Sequence, residues 1–176
     1  MNARTATLED LPAILSLQRE NLERDPDEAR SQGFVTVVHD LEKLTQMHAL
    51  APSVIAEDEG QLCGYAITMP VGIDGVVIPA LDAMLAQLEK LALGRFYVMG
   101  QICVAKSYRG SGVFDALYEG HRTLYATRFD RVVTGIATRN TRSMRAHERV
   151  GFKVIHRYRD ETDDWAVVAW DFGKSK

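Results

Sequence analysis

The stretch Val104-Ala105-Lys106-Ser107-Tyr108-Arg109-Gly110-Ser111-Gly112-Val113-Phe114 joins an apolar run on one side to an amphipathic run on the other. Phe96 to Val104 is nearly continuous in apolar residues and reads as a central strand. Beyond the turn, Phe114, Leu117, His121 and Leu124 recur at helical spacing, which predicts a helix with those residues inward. Gly110 and Gly112 open backbone geometries closed to other residues and let a ligand approach the main chain. Amide N–H groups of the turn and the helix N-terminus make a concavity suited to anionic oxygens, to which Arg109 adds a forked cationic donor. A tight strand–helix connection without a ligand is the alternative. The Walker pattern is absent, because no Gly-Lys-Ser/Thr closes the turn. A dinucleotide fingerprint would need glycine where Asp115 stands.

Upstream, Arg4 to Thr7 reads as a short strand, and Thr7-Leu8-Glu9-Asp10 as a capping box before a helix bearing Leu11, Ile14, Leu15 and Leu17. Glu23 to Ser31 is charged, carries Pro26 and reads as a loop, whereas Val37, Val38, Leu41, Leu44 and Met47 predict a second helix. Ser53 to Glu57 and Leu62 to Met69 are strands around the hairpin turn Asp58-Glu59-Gly60. An insertion follows at about residues 70–94, with an amphipathic helix from Pro79 to Leu93. Downstream come a strand from Arg131 to Thr138, a helix from Asn140 to Val150 closed by Gly151, and an antiparallel pair, Phe152 to Tyr158 and Trp165 to Phe172. The order predicts one α/β (α+β) domain over residues 1–176.

Composition narrows the function classes. With 176 residues, 46% hydrophobic and 26% charged, the chain is that of an ordinary globular protein. A net charge of −3 gives no electrostatic case for nucleic acid. No run approaches the ~20 apolar residues that cross a bilayer, and no apolar stretch after a basic start suggests secretion. Cys63 and Cys103 lie in apolar strand-like runs and form no metal-ligand cluster, so a cytoplasmic protein with reduced core cysteines and no metal is expected.

A second polar constellation lies between Asn140 and Gly151. At ~100° per residue, Asn140, Ser143, Met144, His147 and Val150 share one helix side, opposite Arg142, Arg145 and Arg149. If the arginines are solvated, an inward polar stripe remains, and each unsatisfied member would cost ~1–3 kcal/mol. Asn140 reads as a helix cap, a ligand contact or both; Ser143 as a small packing residue or a contact; His147 as a satisfied core histidine or a catalyst.

The turn and this helix together resemble the GCN5-related N-acetyltransferase superfamily. Its phosphate-loop pattern, Arg/Gln-x-x-Gly-x-Gly/Ala, matches at Arg109 and Gly112, with Phe114 departing from the small last residue. Its downstream pattern, Asn-x-x-Ala/Ser, then a tyrosine, then Gly-Phe, matches at Asn140, Ser143 and Gly151-Phe152, with His147 in the tyrosine position. The resemblance implies a mixed sheet flanked by helices, with the fourth and fifth strands splayed to admit acetyl-CoA. The main chain of Ile102, Cys103 and Val104 would bond the pantetheine arm, with an oxyanion donor near Val104. Amides from Arg109 through Gly110, Ser111, Gly112, Val113 and Phe114 would hold the pyrophosphate, and Asn140 and Ser143 would line the arm.

The resemblance further implies transfer of the acetyl group to a primary amine of a small molecule or peptide, with no role for nucleic acid or membrane. His147 stands as the acid for the leaving thiolate. Gln101, near the position of a glutamate base in some relatives, would position a water or polarise the acceptor; Glu20, Glu57 and His39 are other candidate bases. The insertion helix is long enough to cover a pocket, patch the core or join a homodimer. The acidic loop Asp160 to Asp164 hints at a cationic acceptor. A catalytically idle acetyl-CoA-binding regulatory module is the rival reading.

Overall fold

A computed structural model describes residues 1–22, 33–69 and 79–173, with side chains from Ala83 onward in the helix that begins at Pro79. The expected loop Glu23 to Ser31 and the first part of the insertion, residues 70–78, lie outside the described residues. The strands are β1 (Asn2–Thr5), β2 (Val54–Asp58), β3 (Gln61–Met69), β4 (Phe96–Val104), β5 (Arg131–Ala137), β6 (Lys153–Arg159) and β7 (Asp164–Asp171). They form one mixed sheet in the order β1-β2-β3-β4-β5-β7-β6, antiparallel everywhere except β4 against β5.

Two helical layers cover the sheet. On one face lie α1 (Leu11–Glu20), α2 (Leu41–Leu50) and α3 (Pro79–Leu88), sharing a core that includes Ile14, Leu44, Met84, Tyr65 and Val133. On the other, α4 (Val113–Tyr125) crosses β1 to β4, beside α5 (Thr141–Val150). The inward side of α4 is centred on Val113, Leu117, Tyr118, His121 and Tyr125, with Phe114 and Leu124 at its margins. This face is one residue over from the one the spacing predicts, because Tyr118 and Tyr125 are inward as well as large.

Local chemistry explains most boundaries. Thr7 and Asp10 form the expected capping box, the Thr7 amide donating to the Asp10 carboxylate at 2.7 Å. Glu59 and Gly60 both have positive φ, 48° and 81°, as a two-residue hairpin turn requires. Two boundaries differ from expectation. The second helix starts at Leu41, capped by the Asp40 carboxylate accepting from the Lys43 amide, while Val37 and Val38 precede it outside any helix. The insertion helix stops at Leu88 rather than Leu93; Met84 and Leu88 are buried in the core, so the insertion patches it.

Close approach of α4 to the sheet depends on Gly64. A Cβ there would lie 2.8 Å from the Cys103 carbonyl oxygen and 2.9 Å from a Val113 methyl. Gly64→Ala is therefore expected to destabilise the fold by about 1–3 kcal/mol, read from urea unfolding. His121, fully buried on the inner side of α4, bonds the Tyr97 hydroxyl at 3.0 Å and the Ala66 carbonyl at 3.1 Å. Burial pulls its pKa down to about 4, below the unfolded value near 6.5. The unfolded chain then takes up a proton that the folded chain refuses, so stability falls as pH drops from about 6.5 toward 4. The expected slope is on the order of 1 kcal/mol per pH unit for such a histidine. His121→Phe should flatten the dependence of unfolding free energy between pH 6.5 and 5; an unchanged slope would refute this assignment.

Candidate active site

The parallel pairing of β4 and β5 lasts only from Phe96 opposite Arg131 to Val98 opposite Val133. Beyond it the strands part, and β3 is the only ladder partner that β4 keeps among the described residues. Pairing of β3 with β4 slips after Ile67, which faces Gln101, so that Thr68 faces Met99 and Gly100 is extra. This bulge resets the alternation of side chains. Tyr97 and Met99 point to the α4 side, yet beyond Gly100 it is Ile102 and Val104 that do so, while Gln101 and Cys103 turn toward α1.

The same reset decides which main-chain groups are free. The Ala105 amide donates to the Cys63 carbonyl of β3 at 2.8 Å. By antiparallel alternation Cys103 and Gln101 also spend their main-chain groups on β3, whereas those of Ile102 and Val104 face the opening. The Val104 carbonyl indeed accepts from the Arg109 guanidinium at 3.4 Å rather than from β3. Of the three residues expected to present main chain, two do so, and Cys103 does not.

The turn after β4 is a 3-10 segment, Lys106–Tyr108, followed by Gly110 and Gly112 with φ of 83° and 86°. Gly112 is the N-cap of α4 and supplies no side chain to its first amides; Val113, Phe114 and Asp115 are the N–H groups of that first turn. The positive end of the helix dipole lies at this turn. Ser111 donates its hydroxyl to the Tyr108 carbonyl at 2.6 Å, fixing the turn. The Arg109 guanidinium donates to the Asn21 side chain at 2.8 Å, tying the turn to the end of α1. Burial, with Arg142 close by, lowers its pKa. Two guanidinium groups thus share one locality.

On α5, the Asn140 side-chain oxygen accepts from the Ser143 amide at 3.1 Å, so Asn140 is the helix cap. Its NH2 group donates to the Phe34 carbonyl at 3.1 Å. Arg142, Arg145 and Arg149 are exposed, while Asn140 and His147 are buried. His147 lies 2.8 Å through Nδ1 from the Ser143 carbonyl, which can only accept. Nδ1 therefore carries the proton, and Nε2 accepts from the Tyr118 hydroxyl at 2.6 Å. Burial pulls the His147 pKa down to about 4. Its resting form at neutral pH is therefore the neutral imidazole.

Gln101 sits in a buried hydrogen-bonded network. Its side-chain oxygen accepts from Gln18 at 2.9 Å and Tyr65 at 2.6 Å, and its NH2 donates to the Val37 carbonyl at 2.7 Å. The Gln18 oxygen in turn accepts the His39 amide at 3.0 Å. Residues 33–39 accordingly run as a strap across the opening, held by Gln101 on β4 and Asn140 on α5. Arg139 lies over the Phe34 ring, 4.5 Å from its centre, and is paired with Asp163. Asp160 accepts from Thr162 and from the Asp163 amide. With Asp164 beside Arg159 at 3.7 Å, the acidic loop thus spends three of its carboxylates on local structure.

Under the strap lies a cleft of two open lobes, which meet at Val37, Met99, Gly100, Thr134 and Trp165. Ile102, Ala137, Asn140, Ser143 and His147 line the first lobe; His39, Met69, Met84 and Tyr158 line the second. No carboxylate lines either lobe among the described residues. Sequence reading missed the strap, Gly100, Tyr118, Tyr158 and Trp165. An inward polar Gln18 on an otherwise apolar helix face was the available signal for the buried network.

Among the described residues no helix is long and apolar enough to cross a membrane, and no cluster of His, Cys, Asp and Glu could hold a metal. No curated protein sequence matches the chain. Solved structures share the fold. A ribosomal-protein-alanine N-acetyltransferase from Brucella melitensis is 21% identical with a TM-score of 0.64, covering 97% of this chain and 99% of that one. The structure of yncA from Salmonella typhimurium with its cofactor acetyl-CoA is 16% identical with a TM-score of 0.65, covering 98% and 94%. An N-acetyltransferase from Staphylococcus aureus is 21% identical with a TM-score of 0.60, covering 98% and 100%. The model of the acetyltransferase (GNAT) family matches residues 13–152. With its parted β4 and β5, its glycine-bounded turn and this match over most of its length, the chain belongs to the acetyltransferase (GNAT) family.

Proposed function

We propose that the protein binds acetyl-CoA in the first lobe and transfers its acetyl group to a primary amine held in the second. The observation that carries this reading is the parting of β4 from β5, which leaves the main chain of Ile102 and Val104 without a strand partner on that side, the Val104 carbonyl meeting only the Arg109 guanidinium. An extended arm of alternating amides can complete such an edge as an added strand. The amides of Gly110 to Phe114 then meet the pyrophosphate, with positive potential from Arg109 and Arg142. The thioester falls near Gly100, where the lobes meet, and the main-chain N–H groups of β4 there oppose the developing oxyanion.

Proton balance does not require a stored acid. The amine loses one N–H as the C–N bond forms, and the departing thiolate gains one proton as the C–S bond breaks. His147 serves this reading from its neutral form, holding Ser143 and the start of α5 through its bond to Tyr118. A second reading, an acetyl-CoA-binding module without turnover, is favoured by the absence of a carboxylate base among the described lining residues.

Acetyl-CoA is expected to raise the melting temperature, with ATP or ADP doing less. Thiol release across a panel of amines separates enzyme from module: release supports transfer, and binding without release supports the module. His147→Phe leaves the Tyr118 hydroxyl without its buried partner and should cost about 1–3 kcal/mol of stability. In this variant acetyl-CoA affinity should change only a few-fold. Turnover lost at unchanged melting temperature would instead restore the imidazole as an acid.

A further inference from the structure

His39 is the one expected candidate base that the fold brings to the cleft. Glu20 is exposed at the end of α1, and Glu57 is spent on Arg4 at 2.9 Å. His39 lines the second lobe at 5% exposure, yet neither ring nitrogen has a hydrogen-bond partner among the described residues. A buried imidazole with two idle nitrogens costs free energy unless something polar arrives to meet it. Its main chain is fixed by Gln18, and the neighbouring Val37 by Gln101, so the ring is presented by a hydrogen-bonded frame rather than by a loose loop. The charged groups acting on it are Asp40 and Lys43, and burial outweighs both in holding it neutral, the form that accepts a proton.

Apart from Thr36 and Thr134, the rest of the lobe is mainly apolar and aromatic. Met69, Met84, Met99, Tyr158 and Trp165 line it, with Tyr158 and Trp165 stacked at 6.4 Å between ring centres. Thioethers beside aromatic rings favour an apolar or aromatic guest of variable shape. A polycation would need carboxylates, and none lines the lobe among the described residues. Such walls also lower the pKa of an entering ammonium, delivering the neutral amine that attacks a thioester.

Building on the transfer reading above, the geometry points to an acceptor that is a primary amine carried on an apolar or aromatic group, with the idle imidazole of His39 accepting its N–H. As the amine nitrogen bonds the acetyl carbon, that N–H proton passes to an imidazole nitrogen. The C–S bond then breaks, its electron pair leaves with sulfur, and the imidazolium returns its proton through water to the thiolate.

The test measures thiol release from acetyl-CoA with butylamine, hexylamine and phenylethylamine against spermidine and kanamycin. The parent protein should favour phenylethylamine over spermidine by about 10-fold or more in kcat/KM. Its efficiency should also rise from butylamine to hexylamine. His39→Gln should lower kcat by about 100-fold, while the acetyl-CoA-induced rise in melting temperature persists and shows the variant folded. Added imidazole should restore part of the rate to His39→Ala. Preference for spermidine, or a His39→Gln enzyme with parental kcat, overturns this inference and leaves acetyl transfer standing. Acetyl-CoA binding with no thiol release from any amine overturns both.

Discussion

Everything at the centre of this molecule follows from a ladder that stops early. A parallel pair in mid-sheet ordinarily satisfies its main chain along its whole length, because buried N–H and C=O groups left alone cost as much as lost hydrogen bonds. Here β4 and β5 part after Val98 and Val133, and the unpaired length lies in the middle of the sheet rather than at an edge. The fold holds the two walls apart by packing each to its other neighbour, β4 to β3 and β5 to β7. What remains is a slot walled by rigid strands, a better place for a reacting group than any loop.

Side-chain amides do much of the positioning around this slot. Gln101 bonds Gln18, Tyr65 and the Val37 carbonyl at once, and Asn140 divides itself between its own helix and Phe34. Neutral amides suit this task because they donate and accept without carrying charge into a low-dielectric interior. The three buried histidines follow the same economy: two are spent on tyrosines and carbonyls, and only His39 is left open toward the cleft.

Element order, the glycine turn and the polar side of α5 were legible in the sequence because each is a local pattern. Asn140, Ser143 and His147 came out on one helix side, and Gly112 took the left-handed backbone at the helix start. The bulge at Gly100 was not legible. Phe96 to Val104 is apolar toward both faces, so a slip of alternation leaves no trace in the pattern. Val37 and Val38 carried helical spacing but are held outside the helix by a bond from Gln101, which lies 64 residues away. The neutral state of His147 was equally hidden, since Tyr118 reaches it from another helix. Tertiary partners overrode local signals in each case.

The double engagement of Asn140 has a further consequence. Its oxygen closes the first turn of α5, and its nitrogen grips the strap. Opening of the strap therefore takes a clamp from the residue that nucleates this helix, and fraying of the helix loosens the strap. Two short segments, 106 residues apart in sequence, become one unit of local unfolding. Their amide hydrogens would exchange with solvent together, as a foldon set by a single side chain rather than by chain continuity.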